Sequence, residues 1–248
     1  MYSIRRYAQH IYFGIRDQFM GGVTQVVLGD KEKRIALTFD DGPNPTFTPQ
    51  ILHVLEQHRA KATFFMIGEH VHRHSDIARD VQAAGHAIGN HTYTHRRLVG
   101  CNLAQLRIEL NECQHALKAL LGDAYERAGK LMRPPYGAYD MTTALLTQSL
   151  RYRMLLWSVS GEDWRADAAA LIAQRVLAQV KPGSIVLLHD GWNTSRPNQG
   201  ESDLIADRTQ TVQALALLLP ALLAQGYQCV TLPELLTHKG ARPIRKRY

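Results

Sequence analysis

Cysteine is scarce in this chain of 248 residues, which has only Cys101, Cys113 and Cys229. An odd number of cysteines without any Cys-x-x-Cys spacing argues against a disulfide framework and against a metal site built from thiolates. We therefore expect three reduced cysteines with structural roles.

Long apolar runs are also missing. No uncharged stretch approaches the ~18 residues that a membrane helix needs, and the Leu-rich residues 214–223 contain Pro220 and predict a buried helix. Near the N-terminus, Arg16 and Asp17 end the apolar residues 11–15 before they reach the length of a signal peptide. The sequence thus predicts no transmembrane segment and a cytoplasmic location, while export by an unrecognised route stays open.

Elements typical of nucleic-acid binding are absent, because the sequence has no zinc-finger spacing and no basic helix interleaved with aromatic residues. The formal net charge of +7 allows a weak attraction to anionic polymers or a membrane surface. Much of the basic excess lies at the two ends. We expect a basic, amphipathic N-terminal extension over residues 1–30, one catalytic domain over 31–238 and a basic C-terminal tail over 239–248.

From Arg34 onward, short apolar or β-branched runs alternate with helical patterns, and this order is typical of β-α units around a mainly parallel sheet. With 45% apolar residues, the chain is long enough to form one barrel around a sizeable core. The fold class expected is α/β, with a barrel of about seven strands. The predicted strands are residues 35–39, 62–67, 86–89, 130–133, 155–159, 184–189 and 228–232.

Unusual polar residues follow five of these strands. They are Asp40, Asp41, His91, His95, Arg133, Asp163 and His189. In a barrel of β-α units, the active site is built from the C-terminal ends of the strands and the loops after them. We therefore expect these side chains to meet at one edge of the barrel.

Two adjacent carboxylates, Asp40 and Asp41, end an apolar strand just before Gly42 and Pro43. Neighbouring anions repel each other and are costly to desolvate, so such a pair needs a cation or a proton nearby. An Asp-Gly-Pro sequence is also good turn chemistry, and an ordinary turn explains this segment equally well when it is taken alone.

The histidines His91 and His95 are four residues apart, which lets both rings point at one ion. Because the chain has 12 histidines, a chance pair at this spacing is easily obtained. Adding Asp41 gives a set of two histidines and one carboxylate, which leaves coordination positions open for water and substrate, as catalytic metal sites do.

The segments 38–43 and 91–95 resemble the first two signature motifs of the polysaccharide deacetylases, the NodB-like carbohydrate esterase family 4. Three further segments resemble the remaining motifs in the same order, at residues 133–137, 163–164 and 185–190. Five ordered motifs are far more specific than one. The resemblance spans residues 35–236 and implies a distorted (β/α) barrel.

This resemblance implies that Asp41, His91 and His95 hold a divalent metal. Zinc is expected, with cobalt, manganese and nickel as other candidates. Asp40 would be the general base that takes a proton from the attacking water. Arg133 would lie beside Asp40, favour its ionised form and fix its orientation.

The resemblance also implies which residues would act as the general acid, stabilise the oxyanion and surround the acetyl group. His189 would be the general acid that protonates the leaving amine, and Asp163 would orient and charge-stabilise that imidazole. The backbone N–H of Tyr136 would donate to the oxyanion. Trp164, Tyr136 and Leu187 would form apolar walls around the acetyl group.

The activity implied is hydrolysis of N-acetyl groups on amino sugars of a glycan, of the chitin-oligosaccharide or peptidoglycan type. Ser160 stands where the family often has an acidic residue, which we expect to tune the activity rather than abolish it, since Asp163 and Trp164 are present. Two alternatives stay open. One is a deformylase or other amidase acting on a lipid-linked or small amide substrate, and the other is an inactive glycan-binding barrel.

Overall fold

The computed structural model describes residues 21–29, 32–127, 129–165, 167–192 and 207–246. The strands are β1 Val23–Val27, β2 Arg34–Asp40, β3 Ala62–Met66, β4 Ala87–Asn90, β5 Leu131–Met132, β6 Arg153–Met154, β7 Val159–Ser160, β8 Ile185–His189, β9 Gln228–Cys229 and β10 Arg242–Arg245. The α-helices are α1 Phe47–Gln57, α2 Gly68–Arg73, α3 Ser75–Ala83, α4 Leu103–Arg127, α5 Met141–Ser149, α6 Ala169–Gln179, α7 Thr209–Ala224 and α8 Leu232–Thr237. Two 3₁₀ helices span Pro135–Gly137 and Asp163–Arg165.

Seven parallel strands form one sheet in the order β6-β5-β4-β3-β2-β8-β7, and the sheet curls into a half-barrel with helices around it. Strand β9 pairs with the start of β2. Strand β2 lies between β3 and β8, and its last residue, Asp40, is in register with Phe65 of β3 and His189 of β8. The predicted α/β fold with a distorted barrel is confirmed.

The residues of β2 alternate between two buried layers, because successive side chains of a strand point to opposite faces. Leu37 and Phe39 belong to the apolar layer between the sheet and the helices. Ala36 belongs to a second cluster, inside the curl of the sheet, together with Phe65 and Ile185. Burial on both faces explains why β2 is an almost continuous apolar run. Its alternation places Asp40 on the inner face, at the end that we call the carboxyl edge.

The prediction of one strand over residues 155–159 is wrong. Strand β6 ends just before this segment at Met154, and strand β7 begins at its last residue, Val159. The two strands occupy opposite ends of the sheet. The backbone between them bonds to other groups: Leu156 N–H donates to the carbonyl of Val23, and the carbonyls of Leu155 and Leu156 accept hydrogen bonds from the Arg133 side chain. The apolar pattern alone could not reveal these distant partners.

Strands β1 and β10 lie in segments that the sequence assigned to the terminal extensions. They pair antiparallel, with Val27 opposite Arg242, and the Arg245 side chain donates to the carbonyl of Gly21. Single bridges also join β1 to Leu155 and Ser184, so it contacts two parts of the main sheet. The domain division of the whole chain stays a prediction, but these two strands pack on the barrel.

The buried helix predicted around Pro220 is confirmed as part of α7, whose buried apolar residues belong to the main core. All three cysteines are buried and free, as expected. Within the described ranges, no helix combines the length and apolarity needed to cross a membrane.

Candidate active site

The turn after β2 aims Asp41 into the carboxyl edge. Asp41 has a left-handed backbone, with φ of 76°, and a cis peptide bond joins Gly42 to Pro43. The carbonyl of Asp41 accepts a hydrogen bond of 2.8 Å from Nδ1 of the buried His70. The turn that the sequence suggested is therefore present, and it presents a carboxylate to the interior.

The loop after β4 brings His91 and His95 to the same place. His91 Nδ1 donates to the carbonyl of Arg133 at 2.8 Å, which leaves Nε2 to face the carboxylates. This nitrogen lies 3.4 Å from Asp41 Oδ1, and His95 Nε2 lies 3.1 Å from the same oxygen. Burial opposes the ionisation of Asp41, but the interactions with His95 and His91 outweigh it and hold its pKa well below the usual range.

Asp41, His91 and His95 form a group that could hold a metal ion, since their ligand atoms all lie within 4.8 Å of one another. Asp41 Oδ1 is buried and lacks a hydrogen bond of acceptable geometry, although both imidazole nitrogens are near. A buried carboxylate oxygen without such a partner is unfavourable unless a cation accompanies it. The hydrogen bond from His91 to a backbone carbonyl is also the arrangement typical of metal-binding histidines. The residues present therefore fit a divalent metal.

A buried ion pair supports the second carboxylate, Asp40. Its Oδ1 accepts a hydrogen bond of 2.7 Å from Arg133 Nη1, which also donates to Thr38 Oγ1 at 2.8 Å. The Arg133 side chain is fully buried, and its guanidinium lies 4.2 Å from the ring centre of Phe65 and 5.7 Å from that of Trp157. Charge-assisted bonds and stacking together fix the position of Asp40.

His189 stands at the end of β8 and is held by a carboxylate behind it. Its Nδ1 lies 2.8 Å from Asp163 Oδ1, while Asp163 Oδ2 accepts from the His189 N–H and from Thr211 Oγ1, both at 2.8 Å. Burial opposes protonation of the imidazole, but Asp163 outweighs it and raises the pKa of His189. The rings of Trp164 and His189 are nearly perpendicular, with their centres 5.6 Å apart.

Asp190 is a further buried carboxyl group at this edge. Burial, with smaller contributions from Asp41 and Asp40, raises its pKa to about 7. Thr48 Oγ1 donates to its Oδ2 at 2.6 Å. A side chain at position 42 would overlap this carboxyl group, which explains why the turn carries Gly42 there. A high pKa allows Asp190 to remain neutral beside two other carboxylates.

These groups surround a cavity of about 460 Å³. Asp40, Asp41, His91, His95 and His189 line it, and its remaining walls are Tyr136, Gly137, Trp157, Trp164, Leu187 and Trp192. All three tryptophans of the chain therefore lie in one pocket. Aromatic faces around a few convergent polar groups are typical of small-molecule sites and stack well on sugar rings.

Comparisons with known proteins agree with this geometry. The family model described as polysaccharide deacetylase matches residues 28–155. A chitooligosaccharide deacetylase of Bradyrhizobium sp. (strain ANU 289) is 39% identical over 204 residues, which cover 82% of this chain and 90% of that protein. The chain belongs to the polysaccharide deacetylase family.

Family members named as peptidoglycan deacetylases are about as similar to this chain as the chitooligosaccharide deacetylase is. A peptidoglycan-N-acetylglucosamine deacetylase of Bacillus cereus is 40% identical over 212 residues, covering 85% of this chain and 91% of that protein. A crystal structure of a peptidoglycan N-acetylglucosamine deacetylase, in complex with 4-naphthalen-1-yl-N-oxidanyl-benzamide, superposes with a TM-score of 0.76. It is 32% identical and covers 90% of this chain and 95% of that chain. The family consists of carbohydrate deacetylases, which hydrolyse the amide bond of N-acetylated sugars.

Family membership was predicted from five motifs, and the structure brings the residues of all five together. Of the ten site residues predicted, eight line the cavity, while the other two lie directly behind it. These two are Arg133, which bonds Asp40, and Asp163, which bonds His189. Tyr136 lies at the mouth, with 62% of its surface exposed and its ring 4.8 Å from that of His95.

Several residues of the site were missed. No role in the site was predicted for His70, Thr211 or Trp192. Thr211 and Trp192 stand in no motif, and their partners are distant in sequence. Trp157 precedes the motif at residues 163–164, and its aromatic side chain was the one feature that could have indicated a pocket wall.

Proposed function

We propose that this chain removes N-acetyl groups from the amino sugars of an oligosaccharide or polysaccharide, of the chitin-oligosaccharide or peptidoglycan type, with the help of a divalent metal. The observation that carries the proposal is the convergence of Asp41, His91 and His95 in one pocket with Asp40 and His189. By their names, the relatives above act on chitooligosaccharides and on peptidoglycan.

The metal would be held by Asp41, His91 and His95. When bound, a divalent ion supplies a Lewis acid that polarises the amide carbonyl and lowers the pKa of water. Two imidazoles and one carboxylate suit zinc and leave positions open, although cobalt, manganese and nickel accept the same ligands. We propose zinc as the resident metal.

Asp40 would act as the general base. Arg133 engages its Oδ1, while Oδ2 lies 3.7 Å from His91 Nε2 and so faces the candidate metal ligands. A base in this position can take the proton from a water molecule as that water attacks the amide carbonyl. Because Arg133 is fully buried, the orientation of Asp40 is fixed before substrate binds.

His189 would act as the general acid. Its Nδ1 is bonded to Asp163, so Nε2 is the nitrogen that can reach substrate in the pocket. The raised pKa of His189 favours its protonated form, which is the form that donation to the leaving amine requires. We assign the N–H of Tyr136 to the oxyanion and the side chains of Tyr136, Trp164 and Leu187 to the walls around the acetyl group and sugar ring.

The test is acetate release by the purified chain loaded with zinc or cobalt. Oligomers of N-acetylglucosamine, peptidoglycan fragments and acetylated xylan serve as substrates. We expect at least one N-acetylated glycan to release acetate, with loss of activity on chelation and recovery on adding metal back. Asp40→Asn should lower the rate by about 10²- to 10⁴-fold. Asp80→Asn, at an exposed position in α3, is the matched control and should leave the rate unchanged.

Two outcomes would contradict the proposal. Release of formate from a formamido sugar, without acetate from any acetylated glycan, would establish a deformylase. Binding of glycan and metal without hydrolysis of any amide would establish a binding barrel.

A further inference from the structure

The loop that carries His95 has a strained backbone. Thr92 and His95 both have positive φ angles, 68° and 58° respectively, in the left-handed region that non-glycine residues rarely adopt. Conformations of this kind are unfavourable for non-glycine residues and persist only where the surroundings hold them. Some contact outside the loop must therefore keep His95 in place.

Helix α2 holds one side of this loop. The N–H of Gly68 donates to the carbonyl of Thr92, and the N–H of Glu69 donates to the carbonyl of Tyr93, both at 3.0 Å. These bonds fix two carbonyls between His91 and His95. The amides of the same peptide segment point the other way and need acceptors of their own.

A single carboxylate on helix α4 supplies those acceptors. Glu109 Oε2 accepts from the N–H of Tyr93 at 3.0 Å and from the N–H of Thr94 at 2.9 Å, while Oε1 accepts from Thr94 Oγ1 at 2.6 Å. Glu109 is only 6% exposed, so its carboxylate is not hydrated as that of a surface glutamate is. Three hydrogen bonds to one ionised group compensate for its burial, and such charge-assisted bonds are about twice as strong as neutral ones.

The position of these bonds gives them a specific consequence. These bonds hold Tyr93 and Thr94, the two residues that immediately precede His95, whose Nε2 lies 3.1 Å from Asp41 Oδ1. Without the hydrogen bonds to Glu109, the left-handed backbone at His95 would relax, and the His95 ring would move away from Asp41 and His91. Groups that orient ligands without touching the ion typically contribute 10- to 100-fold to metal affinity.

We propose that Glu109 is a positioning residue that holds His95 in the geometry needed to bind the metal. The inference rests on the metal site of the proposed function, but it does not depend on which amide is hydrolysed. Glu109 acts through the loop, because its hydrogen bonds are to the backbone of Tyr93 and to the backbone and hydroxyl of Thr94.

The experiment compares three variants by zinc affinity, measured by competition with a chromophoric chelator, and by hydrogen exchange at the Tyr93 and Thr94 amides. Glu109→Ala should bind zinc about 10- to 100-fold more weakly and exchange both amides faster. Glu109→Gln should largely restore affinity, because its amide oxygen can still accept the two backbone bonds. Glu112→Ala removes an exposed glutamate from the same helix and should match the unmodified chain.

A further variant keeps the test decisive if Glu109→Ala does not fold. Thr94→Val removes only the hydroxyl that donates to Oε1, and it should weaken zinc binding less than Glu109→Ala does. Unchanged zinc affinity in the folded variants, with faster amide exchange or a lower melting temperature, would overturn the proposal and leave Glu109 a purely structural role. Zinc binding by the unmodified chain without acetate release would refute the proposed function alone.

Discussion

Replacing Asp163 by Asn tests the proposed acid directly. Asp163 accepts three hydrogen bonds, from the His189 N–H, from His189 Nδ1 and from Thr211 Oγ1. Asparagine removes the negative charge and has one acceptor oxygen, so at least one of the three donors would face an NH₂ group. The variant therefore loses the interaction that raises the pKa of His189 and disturbs the orientation of its ring.

The size of the effect follows from these bonds. A hydrogen bond to a charged group contributes about 1.5–3 kcal/mol, and 1.36 kcal/mol corresponds to tenfold in rate. We expect kcat/KM at neutral pH to fall about 10- to 100-fold on this basis. An acid acts only when protonated, so activity falls as pH rises through the pKa of His189. Lowering that pKa should move the alkaline limb of the profile to lower pH.

The assay is the pH dependence of kcat/KM for acetate release, measured with the unmodified chain, Asp163→Asn and Thr211→Val. Thr211→Val keeps the charge of Asp163 and removes only one donor to it, so its alkaline limb should move much less. Circular dichroism would establish that all three chains are folded. An alkaline limb that does not move in Asp163→Asn would refute the assignment of His189 as the acid.

Three further predictions concern stability and reactivity. Burial lowers the pKa of His86 from 6.5 to about 4. The free energy of unfolding should therefore fall by at most about 3 kcal/mol as pH falls through this window. His86→Asn can still accept from the Ala62 N–H and should flatten the pH dependence of denaturant unfolding. Arg133→Met leaves Asp40 buried without its partner and should destabilise the fold by about 3–5 kcal/mol, measured by the same unfolding. Burial raises the pKa of Cys113, so a thiol reagent should label it in the unfolded chain but not in the native one.

Much of the site could be predicted because its residues lie at the ends of parallel strands. Asp40 and His189 are 149 positions apart, yet they are in register on neighbouring strands. Once each apolar run was identified as a strand, the shared direction of the strands brought their last residues to one edge. The family motifs then separated the carboxylate facing the histidines from the one paired with Arg133.

The parts that were missed depend on single long-range hydrogen bonds. Thr211 bonds to Asp163 from within helix α7, where the helical pattern gives no reason to distinguish it from other polar residues. The backbone at Leu155 and Leu156 bonds to an arginine side chain and a distant strand instead of a regular ladder. Periodicity reports which face of an element is buried, but it contains no information about such individual partners.

Backbone strain is concentrated at the carboxyl edge. Of seven non-glycine residues with positive φ in the described ranges, five lie in its loops: Asp41, Thr92, His95, Tyr136 and Glu162. Glycine adopts this conformation at little cost, but a glycine at Asp41 or His95 would remove a candidate metal ligand. Strain is thus retained where the side chain is needed. Its cost, about 1–3 kcal/mol per residue, must be offset by the buried contacts around it. The hydrogen bond that His70 donates to the Asp41 carbonyl and those that Glu109 accepts from the loop of His95 are contacts of this kind, so the precision of the site depends on residues that touch no substrate.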